Sequence, residues 1–197
     1  MRGSKNRLEL SSRQAALFAL LILLAFTGAV IPAHQETGTS SAEIENFGKV
    51  NDNYYRGSQP SEQQFRQLKR LGIKTVIDLR KDFVEKEPEW VRNAGMQYFN
   101  IPLKASRAAT DEQTEYFLRL VNDPANWPVY VHCKGGRHRT GALTAVYRIT
   151  RDGWTADQAY REMKQYDFEN GFFGGPAAQK KFVYSYYERR TAAHSGQ

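Results

Sequence analysis

One run of ten residues constrains this chain more than any other: His132-Cys133-Lys134-Gly135-Gly136-Arg137-His138-Arg139-Thr140-Gly141. A short β-favouring run, Pro128-Val129-Tyr130-Val131, leads into it, and the residues after it, Ala142 to Ile149, carry apolar side chains at helical spacing. A strand, a tight glycine loop and a helix start in that order turn a row of backbone N–H groups toward one small concavity, together with the positive end of a helix dipole. An anion placed there would be held by the loop amides of Lys134, Gly135, Gly136, Arg137 and His138 and by the two-pronged guanidinium of Arg139. Cys133, the chain's only cysteine, stands at the base of the same cradle. A free thiol titrates near ~8.5, and a helix N-terminus with neighbouring cations brings it to roughly 3.5–7.5. A thiolate facing a bound phosphate is the arrangement for phosphoryl transfer through a cysteinyl phosphate. A lone cysteine is ordinarily a small buried hydrophobe. Here two glycines and the cationic or potentially cationic Lys134, Arg137, His138 and Arg139 make a poor core segment.

The ten residues match, in type and spacing, the His-Cys-x5-Arg-Ser/Thr signature of the cysteine-dependent protein tyrosine and dual-specificity phosphatases. Tyr54-Tyr55-Arg56-Gly57-Ser58-Gln59-Pro60 resembles the Tyr-Arg-x-x-Gln-Pro motif of their compact bacterial, plant and fungal members. Gly72-Ile73-Lys74-Thr75-Val76-Ile77-Asp78-Leu79-Arg80 resembles their central strand, and Trp154 and Ala159 to Met163 resemble the bacterial branch. The resemblance covers about residues 45–190. It implies Cys133 as nucleophile, Arg139 as phosphate clamp, Thr140 as the hydroxyl that eases thiolate departure, and His132 as an aid to thiol ionisation.

One role does not carry over. Such enzymes take a general-acid aspartate from a loop upstream of the cysteine, and here Ile101-Pro102-Leu103-Lys104-Ala105-Ser106-Arg107 has no carboxylate. Asp111 is the candidate, although Thr110 with Gln113 reads as a capping box that would leave Asp111 complementing a helix dipole. Asp82, beyond the Asp78-Leu79-Arg80 strand end, is the second candidate. The third alternative is that a leaving group which is itself a stable anion needs no side-chain acid.

Arg2, Lys5, Arg7 and Arg13 precede an apolar run at residues 15–31, the pattern of a signal peptide or signal-anchor over 1–33. It places the rest of the chain outside the cytoplasm, with membrane anchorage through 15–31 as the alternative to cleavage. Small polar residues at 34–46 read as a linker, 47–190 as the phosphatase domain and 191–197 as a tail. The chain carries a net +7, and four cations and one anion of that lie in the basic head, leaving +4 on the rest. That suits an anionic substrate, and no aromatic-and-arginine repeat for nucleic acid is present. His34, His132, His138 and His194 show no ligand spacing with carboxylates, so no metal and no cofactor are implied.

Ser61 with Gln64 predicts a helix burying Phe65, Leu68 and Leu71; Ile73 to Leu79 and Met96 to Ile101 predict strands; Thr110 and Thr155 predict further helix starts, and Pro176 the last. Strands alternating with helices predict a single-domain α/β fold, a mostly parallel central sheet flanked by helices, with the signature loop at a strand's carboxyl end. The leading function is phosphomonoester hydrolysis on a phosphorylated protein or a polyphosphorylated inositol or lipid, the loop cations favouring several phosphates. Sulfur transfer and a phosphate-binding module without turnover are the competing classes. A single reactive thiol has no partner to resolve its oxidation. Peroxide is therefore expected to abolish phosphate-ester turnover in step with oxidation of Cys133 followed by mass spectrometry; activity retained on the oxidised chain would refute this.

Overall fold

The computed structural model describes residues 43–82, 84–170 and 175–195. The leader expected at 1–33, most of the expected linker, and Phe172 and Phe173 lie outside them. The strands are β1 Gly48–Asn51, β2 Tyr54–Ser58, β3 Thr75–Arg80, β4 Gln97–Leu103 and β5 Val129–Cys133. The helices are α1 Glu62–Arg70, α2 Glu87–Asn93, α3 Asp111–Asn122, α4 His138–Arg151, α5 Ala156–Gln165 and α6 Gly175–Ser195. One sheet in the order β1-β2-β5-β3-β4 is parallel except for β1, which pairs antiparallel with β2. This is the α/β fold the alternating pattern predicts.

β5 is the middle strand, with β2 on one side and β3 on the other, and all five of its residues are buried. Successive side chains leave a strand on opposite faces. Val129, Val131 and Cys133 accordingly join the larger core with Phe117, Leu143, Val146 and Phe182, contributed by α3, α4 and α6. Tyr130 joins the smaller core with Phe65 and Leu68 of α1 and Val91 of α2. His132 follows on the Tyr130 side, its ring stacked 5.7 Å from the tyrosine ring. The nucleophile candidate and the histidine beside it therefore face different layers. Fully buried Leu143 and Val146 hold α4 on the sheet, each contributing about 1.5–3 kcal/mol.

Ser61, Thr110 and Thr155 cap the helix starts expected of them, and all three prove to be capping boxes, with Gln64, Gln113 and Gln158. Other expectations need correction. β1 and β2 fall in a stretch with no strand assigned. Leu71 is 57% exposed, because the helix closes there and its C-cap position turns away from the face shared by Phe65 and Leu68. The domain starts before residue 47: Glu45 accepts a hydrogen bond from the Ser58 amide, and Asn46 reaches the signature loop. At the other end α6 continues through most of the expected tail. Among the described residues no helix is long and apolar enough to cross a membrane; the run at 15–31 lies outside them.

One glycine of the signature loop lets it meet β2. Gly136 has φ +67°, and a Cβ there would stand 2.5 Å from the Gly57 carbonyl carbon and 2.7 Å from the Ser58 nitrogen. Gly72 also has positive φ but would meet nothing within 4 Å. A left-handed residue with a Cβ costs about 1–2 kcal/mol. In urea unfolding Gly136→Ala is expected to lose that and at least as much again from the backbone clash, against Gly72→Ala losing the conformational part alone. Equal losses would mean that the loop yields.

Candidate active site

Three consecutive carbonyls of the loop between β5 and α4 are tied from behind. The Lys134 carbonyl accepts from the Gln59 amide at 3.2 Å, Gly135 from Asn46 Nδ2 at 2.8 Å, and Gly136 from Arg56 Nη2 at 2.5 Å. In a trans peptide the N–H points opposite to the C=O. Fixing these carbonyls toward β2 and residue 46 therefore turns the amides of Gly135, Gly136 and Arg137 the other way. The N-terminus of α4 adds its dipole to them. Asn46 itself has φ +54°, a strained conformation that its side-chain bond to the loop helps hold.

On the open side Cys133, Lys134, Gly135, Arg137, His138 and Arg139 share one cleft of about 450 Å³ with Glu45, Ala105 and Asn170. Cys133 is 3% exposed, at the floor. Arg139 is buried, and its Nη1 donates to the Leu103 carbonyl and to Asp82 Oδ1, both at 3.2 Å. The Thr140 hydroxyl is buried without a hydrogen-bond partner among the described residues. Arg137 is paired with Glu45. His138 Nε2 donates to the Phe168 carbonyl at 2.9 Å. Burial lowers the His138 pKa, aided by the nearby Arg137 and Arg139 cations, against the opposing Phe168 bond.

Under the loop, on the α2 side, lies a buried charge cluster. Arg80 binds both Asp78 oxygens at 2.9 Å and Glu87 Oε2 at 2.7 Å, and Gln59 bridges Arg80 and Glu87. His132 Nε2 is 2.9 Å from Glu87 Oε1, out of line for a hydrogen bond, and Nδ1 donates to the Cys133 carbonyl at 3.4 Å. Asp78, Glu87 and His132 offer ligand-type atoms within 4.8 Å of one another. The Arg80 guanidinium already bridges the two carboxylates, so the cluster carries its own cation.

A family described as DSP-PTPase phosphatase fused to NAD+ kinase matches residues 28–183. The chain belongs to this DSP-PTPase phosphatase family. The dual specificity protein phosphatase TpbA of Pseudomonas aeruginosa is 32% identical over 123 residues, 62% of this chain and 55% of that protein. The chain thus spans about half the length of that curated relative. A probable tyrosine-protein phosphatase of Dictyostelium discoideum is 30% identical over 61% of this chain and 75% of its own. Among solved structures, the catalytic domain of the PP-IP phosphatase Siw14 from S. cerevisiae superposes with a TM-score of 0.65 at 24% identity, over 80% of this chain and 96% of that one. TpbA with a cysteine-to-serine change, in complex with pTyr, superposes at 0.62 and 25% identity, over 79% and 99%.

Within this DSP-PTPase domain the structure brings Cys133, Lys134, Gly135, Arg137, His138 and Arg139 of the predicted loop to one cleft, whereas His132 faces Glu87 on the other layer. The structure does not bring Asp111 to that cleft. Asp111 opens α3 beneath its Thr110 cap, 77% exposed, 3.3 Å from Arg189, and lines a separate groove with Tyr186 and Arg189. The helix-dipole role wins over the acid role. Asp82, the second candidate, is the carboxylate that reaches Arg139. Its slight burial would raise its pKa, but a bond from its own backbone and the Arg139 guanidinium hold it below the usual carboxylate range. Sequence reasoning missed Glu45 and Asn46, placed in a linker, and Glu87; Arg56 carried a signal in its motif but no role. Because Asp82 competes for the guanidinium, Asp82→Asn is expected to tighten inorganic phosphate binding roughly two- to fivefold, the scale of an exposed ion pair. Asp111→Asn should leave it unchanged; titration calorimetry reads both, and a weakened Asp82→Asn would reverse the assignment.

Proposed function

We propose that the chain hydrolyses phosphomonoesters through a cysteinyl-phosphate intermediate. The Cys133 thiolate attacks phosphorus as the P–O ester bond breaks, and the departing oxygen leaves as an oxyanion that takes its proton from solvent water. Water then attacks phosphorus as the S–P bond breaks, its protons leaving with the inorganic phosphate and the thiolate being restored. Arg139 and the amides of Gly135, Gly136 and Arg137 stabilise the equatorial oxygens during both steps. The Thr140 hydroxyl eases thiolate departure in the second. The observation that carries this reading is the triple anchoring of the loop carbonyls behind a cleft floored by Cys133.

For the substrate, the geometry favours a single phosphoryl group on a phosphotyrosine-type protein side chain. Three loop cations suggest a polyphosphate in the sequence alone, but Arg137 is taken by Glu45 and His138 by the Phe168 carbonyl. Among them Lys134 alone is exposed without such a partner among the described residues. A polyphosphorylated inositol or lipid is the second reading, supported by the name of the Siw14 relative and by Arg137 becoming available wherever Glu45 is displaced. The basic head and the apolar run at 15–31 support an extracytoplasmic location, with or without anchorage.

Cys133→Ser is expected to abolish turnover of para-nitrophenyl phosphate while keeping phosphate binding; no turnover by the wild type on any phosphoester would instead leave a binding module. Glu45→Gln, which frees Arg137, is expected to raise kcat/KM for an inositol polyphosphate about tenfold, equivalent to about 1.4 kcal/mol, with the aryl phosphate within about twofold. A wild-type preference for the polyphosphate that Glu45→Gln leaves untouched would reject the phosphotyrosine reading.

A further inference from the structure

Arg56 is the motif residue that the proposed chemistry leaves without a role. It is fully buried in β2, behind the loop and outside the cleft. Nη2 donates to the Gly136 carbonyl, and the guanidinium lies 3.9 Å over the Tyr166 ring. Its Nε and Nη1 have no hydrogen-bond partner among the described residues. Glu162, whose charge reaches it, is bound to Arg148 at 2.6 Å. A buried guanidinium short of partners is expensive, and arginine does not shed its proton to escape that cost. The ring face offsets part of it. An anion on the other side of the loop would offset more.

We propose that Arg56 is a positioning residue for the cleft: its bond to the Gly136 carbonyl aims the Arg137 amide at the phosphoryl group, and its buried charge favours the thiolate of Cys133. This rests on the reading of Cys133 as nucleophile. Other charged or titratable groups stand around the cleft or on the strand that carries the thiol. The loop and α4 bring Lys134, Arg137, His138 and Arg139; the segments flanking the cleft bring Glu45 and Asp82; and Tyr130 and His132 lie on the opposite face of β5, the latter backed by Glu87. Arg56 differs from the cleft cations in being closed off from solvent and unpaired with any carboxylate among the described residues, so salt and substrate screen it least.

The test uses the chain's single thiol. Iodoacetamide alkylation of Cys133 is followed across pH for the wild type, Arg56→Gln and Arg56→Lys, with thermal melts and calorimetric phosphate binding alongside. Arg56→Gln is expected to move the alkylation midpoint up by about one unit, roughly a tenfold loss of thiolate below the midpoint. Arg56→Lys, which keeps the charge and loses the planar fork, should hold the midpoint near the wild type yet bind phosphate at least about fivefold more weakly. A folded Arg56→Gln with an unmoved midpoint overturns the inference. Where Arg56→Gln fails to melt cooperatively, Arg56→Lys decides: wild-type phosphate affinity overturns the inference, and weakened affinity at a retained midpoint supports it. A wild-type midpoint at the ordinary thiol value of ~8.5 overturns the nucleophile reading and this inference with it, whereas a low wild-type midpoint that Arg56→Gln leaves low overturns the inference alone.

Discussion

Everything at the cleft depends on how the loop after β5 is held from the rear. Backbone amides are weak anion ligands singly, and they act together only when their peptide planes are fixed in common. Here a backbone amide, a carboxamide and a guanidinium each take one carbonyl in succession, from Gln59, Asn46 and Arg56. The ordering cost is met during folding, so a phosphoryl group meets donors that need no rearrangement. Gly136 makes this possible, because a Cβ there would run into the Gly57 and Ser58 backbone.

The two faces of β5 divide the labour. Alternation sends Cys133 to the side of α4, where the helix N-terminus lies, and His132 to the side of α2, among Asp78, Arg80 and Glu87. The buried charges on that side cannot be counted as plain stabilisation, since desolvation offsets much of their attraction. Removing one partner would cost about 3–5 kcal/mol by stranding the others. Their effect is rigidity beneath the strand that ends at the thiol. The cleft, by contrast, is lined by pairs that a ligand can displace, Asp82 with Arg139 and Glu45 with Arg137. A stiff floor and exchangeable walls suit a site that must admit and release an anion.

The loop, its strand and its helix were legible because glycine spacing, β-branched residues and apolar periodicity are local signals. The three capped helix starts were legible for the same reason. Asp111 was misplaced as an acid where the same local rule already accounted for it as a helix-start residue. β1 and β2 escaped because Gly48–Asn51 is polar and one of β2's residues is a charged arginine, whose burial only the tertiary structure explains. Glu45 and Asn46 are separated from their loop partners by 92 and 89 positions, and composition alone assigns such residues to a linker. Charge, likewise, is countable in a sequence but pairing is not, so Arg137 and His138 looked free for substrate and are committed elsewhere.

A consequence follows for where the working unit ends. Gln179, buried in α6, donates to the Arg107 carbonyl at 2.7 Å, and Arg107 belongs to the turn beyond β4 that also carries Ala105 to the mouth of the cleft. The final helix is therefore part of the apparatus and no mere packing shell. A shortened version that stopped after α5 would retain the whole signature and still lose the brace on one lip of its opening, so the smallest unit that keeps the cleft whole cannot be cut to the motif.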